Sequence, residues 1–294
     1  MLPYSGEIGY GDIRGEFGSP NNFNLQDVWN GTYGPFNVYS YIQPIDPGGA
    51  NYSPADFYGY DGQYIVSNNL VTVWDAWPTI NSYPGFGTSI TDVTFNGHDG
   101  TLYNGTGWDP SDGGSFSFDG IDDYIAGFTP YWTFGNEITV DIWIKWNTSI
   151  NYGQGVGQGV LNNYDNPGDN MWLMHGNGGG QQTLSIFAWD SPTSTVGGAT
   201  SGYLTTGNWY NLIGVINSAG SQMYTNGTLT GTGGGFGGGN MNTTPSSCLL
   251  GGGDVRYDFR RMGGNIAAIH IYNSAFIQAE VTQNFGALRG RFGI

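Results

Sequence analysis

The segment from residue 138 to residue 146 alternates between two sets of side chains, and this alternation constrains the fold more than any other feature. The apolar set is Ile138, Val140, Ile142, Ile144 and Trp146. The set between them is Thr139, Asp141, Trp143 and Lys145. Because successive side chains of a strand point to opposite faces, a period of two predicts a β-strand that buries one face.

Glycine and proline take an unusual share of the chain, with 53 Gly and 13 Pro among 294 residues. Both residues interrupt helices, so the composition excludes a helix-rich fold. Aromatic residues reach 16%, which supplies side chains for a buried core and argues against disorder. Further strands are predicted at residues 115–118, 124–128, 183–189, 209–217, 222–224, 228–231 and 265–272.

Local signals also predict one hairpin and one helix. Asn226-Gly227 lies between two predicted strands and favours a type I′ turn, in which both residues have positive φ. Apolar residues at helical spacing predict a helix over Phe276–Leu288, which ends before Gly290. Many short antiparallel strands with one terminal helix predict an all-β sandwich.

The charge balance of the chain is strongly acidic, because 23 Asp and Glu stand against 7 Lys and Arg and give a formal charge of −16. Such a chain would repel the phosphates of nucleic acids and anionic lipid headgroups. No apolar run approaches the roughly 18 residues that span a bilayer, so we expect no membrane insertion. Cys248 is the single cysteine, and the first residues lack a secretory signal, so we expect synthesis in a reducing cytosol.

Several segments carry a resemblance to a known family. They are Leu70–Ala76, Asn81–Gly85, Gly97–Leu102, Gly114–Ile125, Glu137–Lys145, Trp209–Val215, Met223–Gly227, Gly264–Tyr272 and Ala279–Phe285. On these segments, residues 70–294 resemble the concanavalin A-like, laminin G-like jelly-roll family. The resemblance implies an antiparallel β-sandwich jelly roll with a short C-terminal helix over residues 66–294, preceded by a small irregular segment at residues 1–65.

The two ends of the chain resemble segments of other proteins. Gly6–Gly18 and Leu288–Ile294 are similar to segments of structural proteins in tailed bacteriophages. This resemblance implies a virion component, such as a tail fibre, a baseplate protein or a capsid-decoration protein, made in the host cytoplasm. It also implies that the partners are other virion proteins and further copies of the chain, in a homo-oligomer such as a trimer.

The sequence lacks the patterns of the common catalytic sites. Laminarinase-like hydrolases of this shape carry Glu-x-Asp-x-x-Glu on one strand, and none of the four glutamates here fits that pattern. Asp122-Asp123 is the one adjacent acid pair in the chain, and we interpret it as a solvated turn. The three histidines are scattered and accompany no nucleophile motif. We therefore expect a non-enzymatic protein.

Two groups of residues are candidates for ligand binding. Glycan contacts are predicted at Tyr164, Trp172, His175 and Trp189, because flat aromatic faces can pack on sugars. A calcium site is a candidate at Asp165, Asp169 and Asn170, which offer hard oxygen ligands. The alternatives are a polar loop of Asx-turns and tryptophans that pack in the core. No cofactor is required by either interpretation.

The combined hypothesis is a virion structural protein whose N-terminal segment attaches it to the particle and whose jelly roll binds host-surface glycans. A free carbohydrate-binding adhesin is the alternative, and a glycoside hydrolase is a third. Excess glycines at residues 176–180, 231–239 and 251–253 predict loops that contact neighbouring subunits.

Overall fold

The computed structural model describes residues 65–129, 137–147, 159–163, 172–177, 183–191, 194–235, 248–251 and 261–294. The chain divides into two compact units, one formed by residues 1–67 with 282–294 and the other by residues 68–281. The segment predicted to attach the protein to a particle lies almost wholly outside the described residues.

The described residues form sixteen strands and a C-terminal helix, together with single 3-10 turns at Pro78–Ile80 and Ser111–Gly113. The elements are β1 (Leu70–Asp75), β2 (Ser89–Ile90), β3 (Asp99–Tyr103), β4 (Gly107–Asp109), β5 (Ser115–Asp119), β6 (Tyr124–Thr129), β7 (Ile138–Trp146), β8 (Gly159–Asn163), β9 (Trp172–Asn177), β10 (Thr183–Ser191), β11 (Ser194–Thr200), β12 (Trp209–Ile216), β13 (Ser221–Thr225), β14 (Thr228–Gly233), β15 (Cys248–Leu250), β16 (Gly263–Tyr272) and α1 (Gln278–Phe292).

The strands build two eight-stranded sheets, and every pair in them is antiparallel. The first sheet has the order β14-β13-β12-β7-β16-β5-β4, and β1 also pairs with β16. The second sheet has the order β11-β10-β9-β8-β15-β6-β3-β2. The prediction of an all-β antiparallel sandwich with a short C-terminal helix is confirmed.

The core lies between the two sheets and includes the predicted apolar face of β7. Val140, Ile142 and Ile144 are fully buried there, as are Leu184 and Ile186 of the second sheet. The sheets approach closely at Gly214, where an added Cβ would lie 2.6 Å from the side chain of Ile186. The alternation in β7 therefore predicted correctly which residues form the core.

The other face of β7 differs from the prediction, because it is buried as well. Asp141 of this face is fully buried together with Asn211 and His270. Its Oδ1 accepts a hydrogen bond from Asn211 Nδ2 at 2.6 Å, and its Oδ2 lies 2.9 Å from His270 Nδ1. Period two identified the strand, and the buried carboxylate at one alternate position is bound by polar residues of the two neighbouring strands.

The first residues of the glycine loop expected at 231–239 belong instead to a strand. Gly231 and Gly233 lie in β14, at the edge of the first sheet, and not in a loop that awaits a neighbouring subunit. A Cβ on Gly231 would overlap the carbonyl oxygen of Thr200 in β11, which is the edge strand of the second sheet. These glycines let two main chains approach within the same domain.

The predicted hairpin is present between β13 and β14. Asn226 and Gly227 have φ values of 50° and 77°, and Thr225 pairs with Thr228 on either side of them. The side chain of Asn226 also accepts a hydrogen bond from the main-chain N–H of Asn211 at 2.9 Å. The turn is thereby fixed to the neighbouring strand β12.

The C-terminal helix begins two residues later and ends four residues later than predicted. At its start, Glu280 Oε2 accepts a hydrogen bond from the main-chain N–H of Ile277 at 2.8 Å, as in a capping box. The helix passes through Gly290 and ends at Gly293, which has φ of 69°. Ile294 then donates to the carbonyl of Arg289, which completes a Schellman-type end. Among the described residues, no helix is both long and apolar enough to cross a bilayer.

Candidate functional site

The turn between β5 and β6 is a compact acidic loop formed by residues 119–123. Asp119 Oδ1 accepts hydrogen bonds from the main-chain N–H groups of Ile121 at 2.7 Å and Asp122 at 3.4 Å. Gly120 between them has φ of 82°, and an added Cβ would lie 3.3 Å from the Cα of Gly263. The turn therefore needs an aspartate followed by glycine.

The adjacent acids of this turn have opposite environments. Asp122 is exposed, whereas Asp123 is buried and its Oδ2 accepts a hydrogen bond from the main-chain N–H of Asp119 at 2.8 Å. The prediction of a turn at Asp122-Asp123 is correct, but the interpretation that both acids are solvated is wrong for Asp123. Neighbouring residues that enter a strand point to opposite sides, which gives the two side chains different exposure to solvent.

Burial raises the pKa of the Asp123 carboxyl group, and the nearby charges of Asp119 and Asp122 raise it further. The hydrogen bond from Asp119 and the positive charge of Arg261 act in the opposite direction without cancelling the shift. Single oxygens of Asp119, Asp122 and Asp123 lie within 4.8 Å of one another. The three oxygens are hard ligands of the kind that calcium prefers.

Two tyrosines form an aromatic stack beside the acidic turn. Tyr103 ends β3, Tyr124 begins β6, and the two residues are paired across these strands. Their rings are stacked with centroids 4.8 Å apart and an interplanar angle of 10°. Because the adjacent Leu102 and Ile125 point into the core, alternation places both tyrosines on the outer face of the second sheet.

The guanidinium group of Arg261 packs against the ring of Tyr124. Its guanidinium carbon lies 5.0 Å from the centroid of the Tyr124 ring, and its side chain is buried. Tyr103 has 42% of its surface exposed, so it forms the accessible end of the stack. Solvent exposure therefore decreases from Tyr103 through Tyr124 to Arg261.

Side-chain hydrogen bonds hold the stack and the acidic turn together. Asn104 follows Tyr103, and its Nδ2 donates to the carbonyl of Asp122 at 3.1 Å. The hydroxyl of Thr106 lies 2.8 Å from the carbonyl of Tyr103 and 3.1 Å from that of Tyr124. The result is one surface that presents an aromatic ring next to exposed carboxylates.

This surface is not among the predicted sites, although the sequence holds a signal for it. In the segment 114–125 the resemblance marks the fold and the acid pair predicts a turn, and neither indicates a ligand. Within it, Tyr124 precedes the core residue Ile125, just as Tyr103 follows the core residue Leu102. Aromatic residues at the outward positions of two strands could have been noted, but their pairing depends on the strand order of the sheet.

The residues predicted to bind ligands fall in two categories. Tyr164, Asp165, Asp169 and Asn170 lie outside the described residues. Trp172 and His175 occupy β9, opposite Ala188 and Ser185 of β10, and Trp189 also belongs to β10. The structure thus brings these three positions to one pair of neighbouring strands, and their role in glycan binding stays a prediction.

A second polar cluster lies on the first sheet and satisfies itself. Trp209 Nε1 donates to Asp112 Oδ2 at 2.8 Å, and Lys145 Nζ lies 4.8 Å from the centroid of the Trp209 ring. A hydrogen bond from the main chain of Ser111 lowers the pKa of the neighbouring Asp109. These groups bind one another, so the surface around Tyr103 is the better candidate for a ligand.

Comparison with known families identifies the superfamily of the sandwich. The profile of the concanavalin A-like lectin/glucanases superfamily matches residues 118–282, which begin at the acidic turn and end within α1. The chain belongs to this superfamily. No curated protein sequence matches the chain.

Solved structures of the concanavalin A-like fold resemble the chain at low sequence identity. Domain 4 of AbnA, an extracellular arabinanase of Geobacillus stearothermophilus solved with arabinotriose, has 16% identity and a TM-score of 0.56. The match covers 74% of this chain and 98% of that domain.

Toxin domains of the same fold also match. The binding domain of Paraclostridial Mosquitocidal Protein 1 has 14% identity and a TM-score of 0.55, and the match covers 74% of this chain and 52% of that one. The binding domain of botulinum neurotoxin serotype G has 10% identity and a TM-score of 0.55, with 74% and 51% covered. The chain thus spans about half of these toxin domains, and the likeness shows the shared fold.

Proposed function

We propose that this chain is a non-enzymatic glycan-binding protein that holds sugars on the outer face of its second sheet. The observation that carries the proposal is the exposed ring of Tyr103, stacked on Tyr124 and placed beside the carboxylates of Asp119 and Asp122. An aromatic face packs against the apolar C–H surface of a sugar, and carboxylates accept hydrogen bonds from its hydroxyls. Both contacts are available to one ligand here.

The comparisons support the same assignment. The arabinanase domain, which matches over nearly its full length, was solved with arabinotriose, and the toxin matches are binding domains. The predicted positions Trp172, His175 and Trp189 lie on the same sheet, with β8 and β15 between them and β6.

We propose further that the protein belongs to the virion of a tailed bacteriophage, as a fibre, baseplate or decoration protein made in the host cytoplasm. The similarity of Gly6–Gly18 to such proteins supports this context. Several copies on one particle, as a homo-oligomer with other virion proteins, would multiply the weak affinity of one site. Binding requires no cofactor in this proposal, and calcium at Asp165, Asp169 and Asn170 remains a proposed addition.

The binding proposal is tested by screening the full chain on a glycan array and measuring the Kd of the strongest ligand by titration calorimetry. Tyr103→Ala is expected to weaken that ligand by about tenfold or more, the loss typical of a central aromatic contact. Tyr203→Ala is the matched control, because Tyr203 is 65% exposed in the loop between β11 and β12. Equal effects of the two variants would contradict the site.

The virion context is tested separately by mass spectrometry of purified particles and by locating the chain with cryo-microscopy. We expect the chain at a fixed copy number on the particle surface. Its absence from purified particles would reject the virion context and leave the free adhesin. Release of sugar from a bound polysaccharide would instead favour the glycoside hydrolase.

A further inference from the structure

The candidate site presents exposed negative charge to any ligand that approaches from solvent. Asp119 and Asp122 are both exposed, and one oxygen of each lies within 4.8 Å of the other and of Asp123. A ligand packed on Tyr103 therefore comes close to two carboxylates, because Asn104 joins the end of β3 to Asp122.

Arg261 adds a positive charge next to this site. Its side chain is buried, with the guanidinium carbon 5.0 Å from the centroid of the Tyr124 ring. Burial raises the pKa of Asp123 and the charge of Arg261 opposes that rise, so the arginine acts on the buried carboxylate. The outer surface keeps the charge of Asp119 and Asp122.

The whole chain has a formal net charge of −16, which adds a negative electrostatic field at longer range. An anionic ligand is thus disfavoured both by the nearest groups and by the protein as a whole.

Resting on the proposed function, we infer that the site selects neutral, hydroxyl-rich glycans and rejects glycans that carry carboxylate, phosphate or sulfate groups. Hydroxyls of a neutral sugar donate to Asp119 and Asp122 while its C–H face packs on Tyr103. A carboxylate on the same sugar cannot donate when it is ionised, and it adds charge repulsion. The selectivity comes from repulsion of the wrong ligand as much as from contacts to the right one.

The test compares neutral and anionic sugars of equal linkage and length, using the full chain. Gluco- and manno-oligosaccharides are titrated beside glucurono- and mannurono-oligosaccharides in about 0.01 M salt, where the Debye length is about 30 Å. We expect the uronates to bind about fivefold to tenfold more weakly than their neutral partners. Near 0.5 M salt the difference should shrink, while the neutral ligands keep their affinity.

Two variants separate the local carboxylates from total charge. Asp122→Asn removes an exposed negative charge at the site, and we expect it to lower the neutral-to-uronate ratio by about twofold or more. Glu137→Gln is the control, because it removes one exposed charge at the start of β7 in the first sheet. It is expected to leave the ratio unchanged.

The outcomes distinguish this inference from the proposed function. Uronates that bind as well as neutral sugars, in a manner lost with Tyr103→Ala, would overturn the selectivity and keep the binding site. Equal effects of Asp122→Asn and Glu137→Gln on the ratio would overturn the role of the local carboxylates. Failure to bind any sugar on the array or in the titrations would reject the proposed function and the selectivity with it.

Discussion

The carboxylate of Asp141 and the imidazole of His270 contact each other at 2.9 Å in a region where both side chains are fully buried. The two residues are paired across the central strands β7 and β16. Asn211 from β12 donates to the other carboxylate oxygen, so three strands of one sheet meet in this cluster.

Removal of His270 is expected to destabilise the domain strongly. His270→Ala leaves a buried carboxylate without one of its partners, and such losses cost about 3–5 kcal/mol. Urea denaturation of the variant and the parent protein measures the change in the free energy of unfolding. A loss below about 1 kcal/mol would show that the contact contributes little.

Asp92 is expected to make the free energy of unfolding depend on pH in the acid range. Burial raises the pKa of this carboxyl group, but hydrogen bonds from His98, Val73 and Thr94 outweigh burial and hold the pKa below its ordinary value. A lowered pKa contributes stability above the ordinary value of about 3.9, and this stability is lost as the pH falls further. Asp92→Asn should therefore weaken the protein at neutral pH by about 1–3 kcal/mol. It should also flatten the dependence of stability on pH below about 4.

The pKa shift of Asp123 is expected to change stability with pH in the direction opposite to that of Asp92. Burial raises its pKa, so the ionised form disfavours folding and stability falls as the pH rises through the raised pKa. Asp123→Asn keeps an acceptor for the N–H of Asp119 and removes the charge. We expect unfolding curves at neutral pH to show equal or greater stability for the variant. A variant clearly weaker at pH 7 than at pH 4, relative to the parent, would contradict this sign.

Gly231 is expected to tolerate no side chain. In Gly231→Ala the new Cβ would overlap the carbonyl oxygen of Thr200, and overpacking of this kind costs about 1–3 kcal/mol. Gly202→Ala is the matched control, because its nearest neighbour would be Cγ2 of Thr230 at 3.7 Å, an ordinary contact. Thermal denaturation of both variants checks the difference. Similar melting temperatures would show that β14 shifts freely.

Glu280 is expected to stabilise the first turn of α1. Glu280→Ala removes the acceptor of the Ile277 N–H and should cost about 0.5–1 kcal/mol. Glu280→Gln keeps a side-chain oxygen at the same place and should restore most of the loss. The free energy of unfolding in urea compares the three proteins. Equal stability of the alanine and glutamine variants would exclude a capping role.

The parts of the fold that follow local rules could be predicted from the sequence. The apolar positions of β7 and the Asn226-Gly227 turn need only information from neighbouring residues. The end of β14 beyond residue 231 could not be recognised, because Gly233 is unfavourable for a strand by propensity and is required there by the close approach of the Gly198 carbonyl in β11. The contact that requires glycine there is made by β11, a strand of the second sheet.

The candidate site was harder to predict for a similar reason. Asp119 and Gly120 indicate a turn, and that prediction is correct. The stack of Tyr103 on Tyr124 depends on the pairing of β3 with β6, and Arg261 reaches it from a distant part of the chain. No local pattern contains these three residues together.

The position of β16 governs when the domain can fold during synthesis. This strand lies between β7 on one side and both β1 and β5 on the other. Leu70 of β1 can therefore pair only after Tyr272 has been synthesised. A ribosome delivers β16 after every other strand that the structure describes, and until then the edges of β7 and β5 stay open to other chains. Such long-range pairing makes folding slow. Truncation before Tyr272 should therefore yield aggregation instead of a smaller folded domain.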